Sequence, residues 1–337
     1  MPKGLVEILP DDPADHRAFK AWRQLCPNEF EPDRIEILKL KTKSAVYRLS
    51  RAGKERSTVV AKRCPAATAS LERLLYQEFL PLLPVPTLRC FGYLPEPEGA
   101  SAWIFMEDAG MSKYSPAEAD HRVLAGRWLG ALHSVAPPEA LEAALPERGP
   151  SHYRRLLRES VVRLREYFDS PGLPAQQIAI LRKIVGHCEV IEMHWAELED
   201  FCQALPRRLV HGDFVIKNLR LASGAAGPTL LVYDFEMAGW GVPATDLAQF
   251  IGKCVSPDLD AYRAVLAQDR DGSNLDMPTL RRLAAYGNIL RLVDKVYWEA
   301  GSLLGHTFDF LIRPVATMAL YEPQLTDSLR AVEWNHP

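Results

Sequence analysis

Two apolar runs in the second half of the chain each stop on a carboxylate. Leu209-Val210 leads into His211-Gly212-Asp213-Phe214-Val215-Ile216-Lys217-Asn218-Leu219, and Leu230-Leu231-Val232-Tyr233 leads into Asp234-Phe235-Glu236. A short β-run that ends on an acid hands that acid to a loop held by a rigid frame, which is where sites are usually built. Asn218 follows Asp213 by five positions and Asp234 follows it by 21, so three oxygen-bearing side chains recur in a fixed order.

The rest of the composition limits what such a chain can be. Its 337 residues are 47% apolar, enough for a large core and for about two domains or two lobes at roughly 150 residues each. With 40 basic and 43 acidic side chains the formal net charge is -3, which supplies no basic field for a nucleic-acid backbone and no polybasic membrane patch. The longest stretch without a charged residue, Leu221–Tyr233, is broken by Gly224, Gly227 and Pro228 and falls short of the about 20 apolar residues of a membrane span. Partners are therefore expected to be small molecules, with neither nucleic acid nor membrane involved. The start Met1-Pro2-Lys3 meets Glu7, Asp11 and Asp12 at once, so no apolar signal core is expected there. The six cysteines (26, 64, 90, 188, 202 and 254) never approach a Cys-x-x-Cys spacing and read as reduced thiols of a cytoplasmic protein.

Periodicity divides the chain. Residues 34–40, 45–49 and 57–62 read as strands, 68–83 as a helix, and 88–93 and 102–106 as two further strands. Helices are expected from Ser115 to about His133, over 151–168 and over 174–202, then from about Thr245 onward, with the β-rich island 209–235 between them. The expected fold class is α+β: a small antiparallel sheet over residues 1–107, then a mainly helical part over 108–337 that carries the two acidic loops.

Phosphoryl transfer asks for this set of side chains. A carboxylate must orient and deprotonate an alcohol, and a hard oxygen cluster must hold Mg²⁺ on the β- and γ-phosphates. Asp213 suits the first role, and Asn218 with Asp234 the second, in the order found in a kinase catalytic loop and the metal-binding turn after it. Such a site also needs a strand lysine paired with a helix glutamate. Val59-Val60-Ala61-Lys62 supplies the lysine. On the following helix the stripe Leu71, Leu74, Leu75, Phe79 and Leu82 puts Glu78 at its centre and Glu72 at its edge, which predicts a Lys62–Glu78 pair.

These residues resemble the aminoglycoside phosphotransferase and choline kinase group of the protein-kinase-like fold. The likeness rests on His211-Gly212-Asp213-(x)4-Asn218, on Asp234, and on Gly241-Val242-Pro243-Ala244-Thr245-Asp246-Leu247-Ala248, which is similar to the Gly-x-Pro-x-x-Asp-Leu-Ala segment of that family. The helix around Leu129-Gly130-Ala131-Leu132-His133 also resembles the family's helix after the hinge, and coverage runs from about Ile35 to about Gly252. The resemblance implies a two-lobed protein-kinase-like fold and an ATP- and Mg²⁺-dependent transfer to a hydroxyl of a small molecule, such as an amino sugar or natural-product alcohol. It implies that Trp103–Ala109 is the hinge, with the backbone of Glu107 and Ala109 on the adenine edge. It also implies that His211 orients the loop and that Asp246 anchors it.

Two departures follow. The phosphate-covering turn, Lys41-Thr42-Lys43-Ser44, has no glycine, so side chains limit how closely its backbone approaches a phosphate; Ser44 and the turn amides are the expected contacts. Gly53-Lys54-Glu55-Arg56-Ser57 resembles half of a P-loop, but Arg48 stands where the upstream glycine belongs. The glycine-free turn is the one feature that favours the alternative, an inactive nucleotide-binding scaffold of the same fold. A protein kinase is disfavoured because too few residues separate Asp234 from Asp246 for an activation loop. Residues 255–337 carry 11 acidic and 8 basic side chains, a mild balance that leaves the acceptor open. Trp298 and Glu299 could contribute to an acceptor pocket, but the expected arrangement is Trp298 in the core and Glu299 in solvent.

Overall fold

The computed structural model describes residues 7–8, 13–51, 57–224, 227–268, 275–303 and 308–334. Gly53–Arg56 of the half P-loop, and the opening Met1-Pro2-Lys3, lie outside the described residues. The fold is α+β and divides into two units, Met1–Tyr114 with Asn218–Glu236, and Ser115–Lys217 with Met237–Pro337. The division expected after Glu107 thus falls at Tyr114, and the stretch Asn218–Glu236 groups with the N-terminal sheet instead of the helical part.

In the first unit, β1 (Glu7–Ile8), β2 (Arg34–Lys41), β3 (Ser44–Arg51), β4 (Ser57–Pro65), β5 (Cys90–Pro95) and β6 (Ser101–Glu107) form one antiparallel sheet in the order β1-β2-β3-β4-β6-β5. A helix that the periodicity reading passed over, α1 (Arg17–Leu25), covers one face of it. Its Ala18, Phe19, Ala21 and Trp22 share a core with Ile35, Leu49, Val59, Ala61, Trp103 and Phe105. The signal was present as apolar residues at 18, 21, 22 and 25, the spacing of one helix face. Strand alternation turns Lys62 and Cys64 to the opposite face, where Cys64 packs with Ala69 and Ala102. There α2 (Ala66–Leu74) follows β4 directly and continues through a π-turn, Leu75–Phe79.

The second unit holds α3 (Ala119–Ser134), α4 (Glu139–Ala144), β7 (Glu147–Arg148), α5 (Pro150–Arg165), α6 (Ala175–Met193), α7 (Trp195–Gln203) and β8 (Arg208–Val210). The hairpin β9 (Leu219–Gly224) and β10 (Gly227–Val232) belongs to the first unit; β11 (Gly239–Gly241), α8 (Leu259–Leu266), α9 (Met277–Ser302) and α10 (Phe308–Ala331) complete the second. β7, β11 and β8 make a small sheet with β11 in the middle. The single helix expected over 174–202 is two, broken at His194, and the helix expected from Ser115 starts at Ala119, after a turn in which Ala117 N donates to Ser115 Oγ (3.3 Å). No helix among the described residues is long and apolar enough to cross a membrane.

Candidate active site

The first unit gathers its charges around Lys62, which is 5% exposed. Its ammonium donates to Glu72 Oε1 (3.0 Å) and to Asp234 Oδ1 (2.5 Å), with Glu236 Oε2 at 4.0 Å. Burial alone would depress the Lys62 pKa, but Glu72 and Asp234 overturn it and hold the amine above its ordinary value. The expected Lys62–Glu78 pair is corrected: Glu72 is fully buried and takes the lysine, whereas Glu78 is exposed. The buried stripe of this helix is Ala69, Glu72, Leu75, Tyr76 and Phe79, while Leu71 and Leu74 are only half-buried and Leu82 is 52% exposed. Ala69, Glu72, Tyr76 and Phe79 recur at helical spacing, so the true face includes Glu72; a stripe drawn through half-buried Leu71 and Leu74 and through Leu82, which lies beyond the helix, is rotated away from it.

Asp234 and Asn218 come together through the β9–β10 hairpin. Leu219 pairs with Val232, so the residues just outside the open end face each other, and Tyr233 N donates to Asn218 O (3.1 Å). Asp234 stands in the left-handed region at φ 68°, a conformation that a non-glycine residue keeps only where its surroundings impose it. Lys39 Nζ lies 3.9 Å from its second carboxylate oxygen. Asn218 is 2% exposed in the 3₁₀ turn Ile216–Asn218.

The hinge stretch ends the sheet. Glu107 closes β6, and its N–H donates to Arg89 O (2.8 Å). Arg48 grips the next residue, donating to both oxygens of Asp108 (2.5 and 3.2 Å), and also donates to Glu36 (3.0 Å). Asp108 in turn accepts from Gly110 N (3.0 Å), so the turn that contains Ala109 is fixed at both ends. The Lys41–Ser44 turn is a two-residue hairpin in which Lys41 pairs with Ser44. Thr42 and Lys43 are exposed and Ser44 is half-buried.

In the second unit, β8 runs into the loop that carries Asp213. Buried Asp246 holds this loop by accepting from His211 N (2.7 Å) and Gly212 N (3.0 Å), and His133 Nε2 lies 3.4 Å from the same carboxylate. Burial would raise the Asp246 carboxyl, but His133 and the loop hold it below the usual carboxylate range. Gly212 has φ 73°, and a Cβ there would stand 2.2 Å from Met237 O, so no other residue fits the turn. Asp246 anchors the loop as the resemblance implied, from a turn and not from a helix start: helices resume only at Leu259.

Asp213 itself has two cations. Lys217 Nζ lies 2.9 Å from Oδ2, and Arg291, 3% exposed on α9, donates to Oδ1 and to Gly212 O (2.6 Å). Burial works against the Asp213 charge, but Arg291 and Lys217 keep its carboxyl below the ordinary value. Arg291 lies beyond Gly252, outside the stretch that carries the resemblance. Its signal was a lone arginine inside Leu290-Arg291-Leu292-Val293, where burial on every side requires a polar partner. Further along α9, Trp298 is 57% exposed and Glu299 half-buried, the reverse of the expected arrangement.

A model of the phosphotransferase enzyme family matches residues 29–286, more than half of the chain. The chain belongs to that family. Among solved structures, a GDP complex of an aminoglycoside 2'-phosphotransferase variant superposes with a TM-score of 0.65 at 15% identity, covering 93% of this chain and 97% of the other. Choline kinase from Cryptosporidium parvum Iowa II gives 0.60 at 13% identity, covering 93% and 96%. An aminoglycoside phosphotransferase bound to GDP and kanamycin gives 0.60 at 14% identity, covering 91% and 98%. These likenesses establish the protein-kinase-like fold. A search of curated proteins finds no match.

Proposed function

We propose that this protein transfers the γ-phosphoryl group of ATP to a hydroxyl of a small molecule. The observation that carries the reading is buried Lys62, joined to Glu72 on one side and to Asp234 on the other, with Asn218 beside Asp234 at the end of the same hairpin. A buried lysine held by a helix glutamate is the arrangement that meets the α- and β-phosphates in kinases. Asn218 and the carboxylate of Asp234 form a hard oxygen set, which fits Mg²⁺ better than a softer metal. When bound, that ion neutralises charge on the β- and γ-phosphates. Ser44 and the amides of its turn would meet the phosphates, and the backbone of Glu107 and Ala109 the adenine edge; the Glu107 N–H is already engaged, so its carbonyl would accept from the base.

On the acceptor side Asp213 takes the hydroxyl hydrogen bond. As the acceptor oxygen forms its bond to γ-phosphorus, the bond from phosphorus to the β-phosphate oxygen breaks, ADP leaves, and the hydroxyl proton passes to the Asp213 carboxylate. A carboxylate kept below its ordinary pKa by Arg291 is a weak base, suited to orient the hydroxyl early and accept its proton late. Aminoglycoside phosphotransferases and choline kinase among the similar structures support a small-molecule acceptor. The unpaired state of all six cysteines fits a reducing cytoplasm, where ATP and Mg²⁺ are at hand.

The test is ADP release by the purified protein with Mg-ATP across aminoglycosides, amino alcohols, sugars and hydroxy acids, with intact-mass detection of a phosphorylated product. A product that needs Asp213 supports the reading. Nucleotide binding without any product, unchanged in Asp213→Asn, would favour the scaffold.

A further inference from the structure

Arg291, Asp294, Lys295 and Trp298 follow one another at i, i+3, i+4 and i+7, and so share one face of α9. Arg291 is consumed by Asp213 and Gly212. Asp294 lies close to Arg291 and Arg148, and its carboxyl is pushed up by burial, with Arg291 and the nearby Trp298 indole opposing. Lys295 is different: it is half-buried, and no carboxylate among the described residues lies within ion-pair distance of it. Its ammonium instead lies 5.6 Å from the centre of the Tyr321 ring on α10. A Cβ placed on Gly252 would stand 2.1 Å from Lys295 Nζ and 3.8 Å from Gln324 Oε1, so these two polar atoms converge on one spot beside the Gly252 backbone. Gln324 Oε1 is buried without a hydrogen-bond partner.

An unpaired cation and an unsatisfied acceptor at one spot are what a missing polar ligand leaves behind. Burial and the nearby Arg291 push Lys295 down to about 8, with Cys254, Asp294 and Asp213 opposing, so the amine is still protonated at neutral pH but short of negative charge. Lys295 is one helical turn from Arg291, roughly 5–6 Å between Cβ atoms, and Arg291 grips Asp213. A compound with a hydroxyl at Asp213 thus reaches Lys295 across a few bonds.

Building on the phosphotransferase reading, we propose that the acceptor is a hydroxy acid: its carboxylate is held by Lys295, a second hydrogen donor meets Gln324 Oε1, and the exposed Trp298 ring flanks its carbon frame. The cationic acceptors named for the similar structures fit this spot poorly, because a second ammonium would face Lys295 and Arg291.

The experiment compares matched acceptors that share a carbon frame and differ only in bearing a carboxylate, a carboxamide or an amine: glycerate and gluconate, their amides, and the corresponding amino alcohols, with kanamycin and choline alongside. ADP release gives kcat/KM for each. The expected result is a preference for carboxylate over carboxamide of about 10- to 100-fold, the worth of a hydrogen bond to a charged group. Lys295→Met should cut that preference at least several-fold through KM, and Lys295→Arg should restore part of it; a cooperative thermal transition checks that each variant folds. A preference for amines, or a carboxylate-to-carboxamide ratio that Lys295→Met leaves unchanged, overturns the proposal while the phosphotransferase reading stands. Absence of product with every member of every series removes the phosphotransferase reading and this proposal with it.

Discussion

Lys62 sits among Glu72, Asp234 and Glu236, and each of these carboxylates needs it as much as it needs them. Removing one member of a buried pair strands the other, at a cost of about 3–5 kcal/mol, so Glu72→Gln, which keeps shape and loses charge, is a better probe than Glu72→Ala. Glu72→Gln and Lys62→Ala are expected to raise the KM for ATP about tenfold or more, and Glu78→Ala to leave it within about twofold. Steady-state ADP release checks this, and a Glu78→Ala loss equal to that of Glu72→Gln would refute the assignment. The second residue-scale prediction concerns Arg291. Its charge holds the Asp213 pKa down, so in Arg291→Met that pKa rises and the acidic limb of kcat/KM moves to higher pH, whereas a residue that only supported packing would lower activity equally at every pH. Lys62, Asp213, Asn218 and Asp234 were legible because strand ends and short spacings announce them. Glu72 was hidden because half-buried Leu71 and Leu74 and exposed Leu82 draw the apolar stripe off the buried face, and Arg291 because its partner lies 78 positions away in the chain.

Elements place these residues by a few tight approaches. The register of the β9–β10 hairpin sets Asn218 opposite Tyr233, the residue before Asp234, and α3 lies against α8 where a Cβ on Gly126 would stand 2.2 Å from Asp258 O. Gly126→Val forces the two helices apart and is expected to cost at least about 1–3 kcal/mol, as overpacking does, read as a lower urea midpoint. Strand periodicity gave β2, β3, β4, β5 and β6 to within about three residues of their observed ends, because one face of each meets a core. The helix expected from Thr245 fails for a local reason. Asp246 spends its carboxylate on the Asp213 loop, Gln249 N donates to Asn288 Oδ1 (2.7 Å) and Phe250 N to Ser256 Oγ (2.8 Å), so side chains satisfy the amides that a helix would have used. Phe250, Gly252 and Ser256 at positive φ complete the departure.

At the scale of the whole chain, pH bears on stability through groups that folding removes from water. His152 is pushed down to about 4 by burial and by Arg148 and Arg155. A histidine whose folded pKa lies below its unfolded value near 6.5 binds more protons unfolded than folded between the two, so its contribution is present above about pH 6.5 and is lost as pH falls toward 4. The thermal midpoint should therefore drop across that window, and drop less steeply in His152→Gln.

The division of the chain separates two kinds of defect. Asp234 and Asn218 belong to the same unit as Lys62, and Asp213 belongs to the unit that holds Arg291 and Lys295. If the first set serves the nucleotide and the second the acceptor, charge removal at the two aspartates has different signatures. Asp234→Asn exchanges a carboxylate for a neutral amide, a poorer ligand for a hard cation, and also strips Lys62 of a partner, so Mg²⁺-dependent nucleotide binding and turnover fall together. Asp213→Asn keeps the nucleotide set whole and removes proton acceptance and hydroxyl orientation, which predicts near-parental Mg-ATP affinity with turnover lower by about 10²- to 10⁴-fold. Calorimetry of Mg-ATP binding beside ADP release with a working acceptor reads both. Misfolding would depress affinity and turnover in both variants alike, and equal losses of nucleotide affinity in Asp213→Asn and Asp234→Asn would show that the two aspartates do not divide the work in this way.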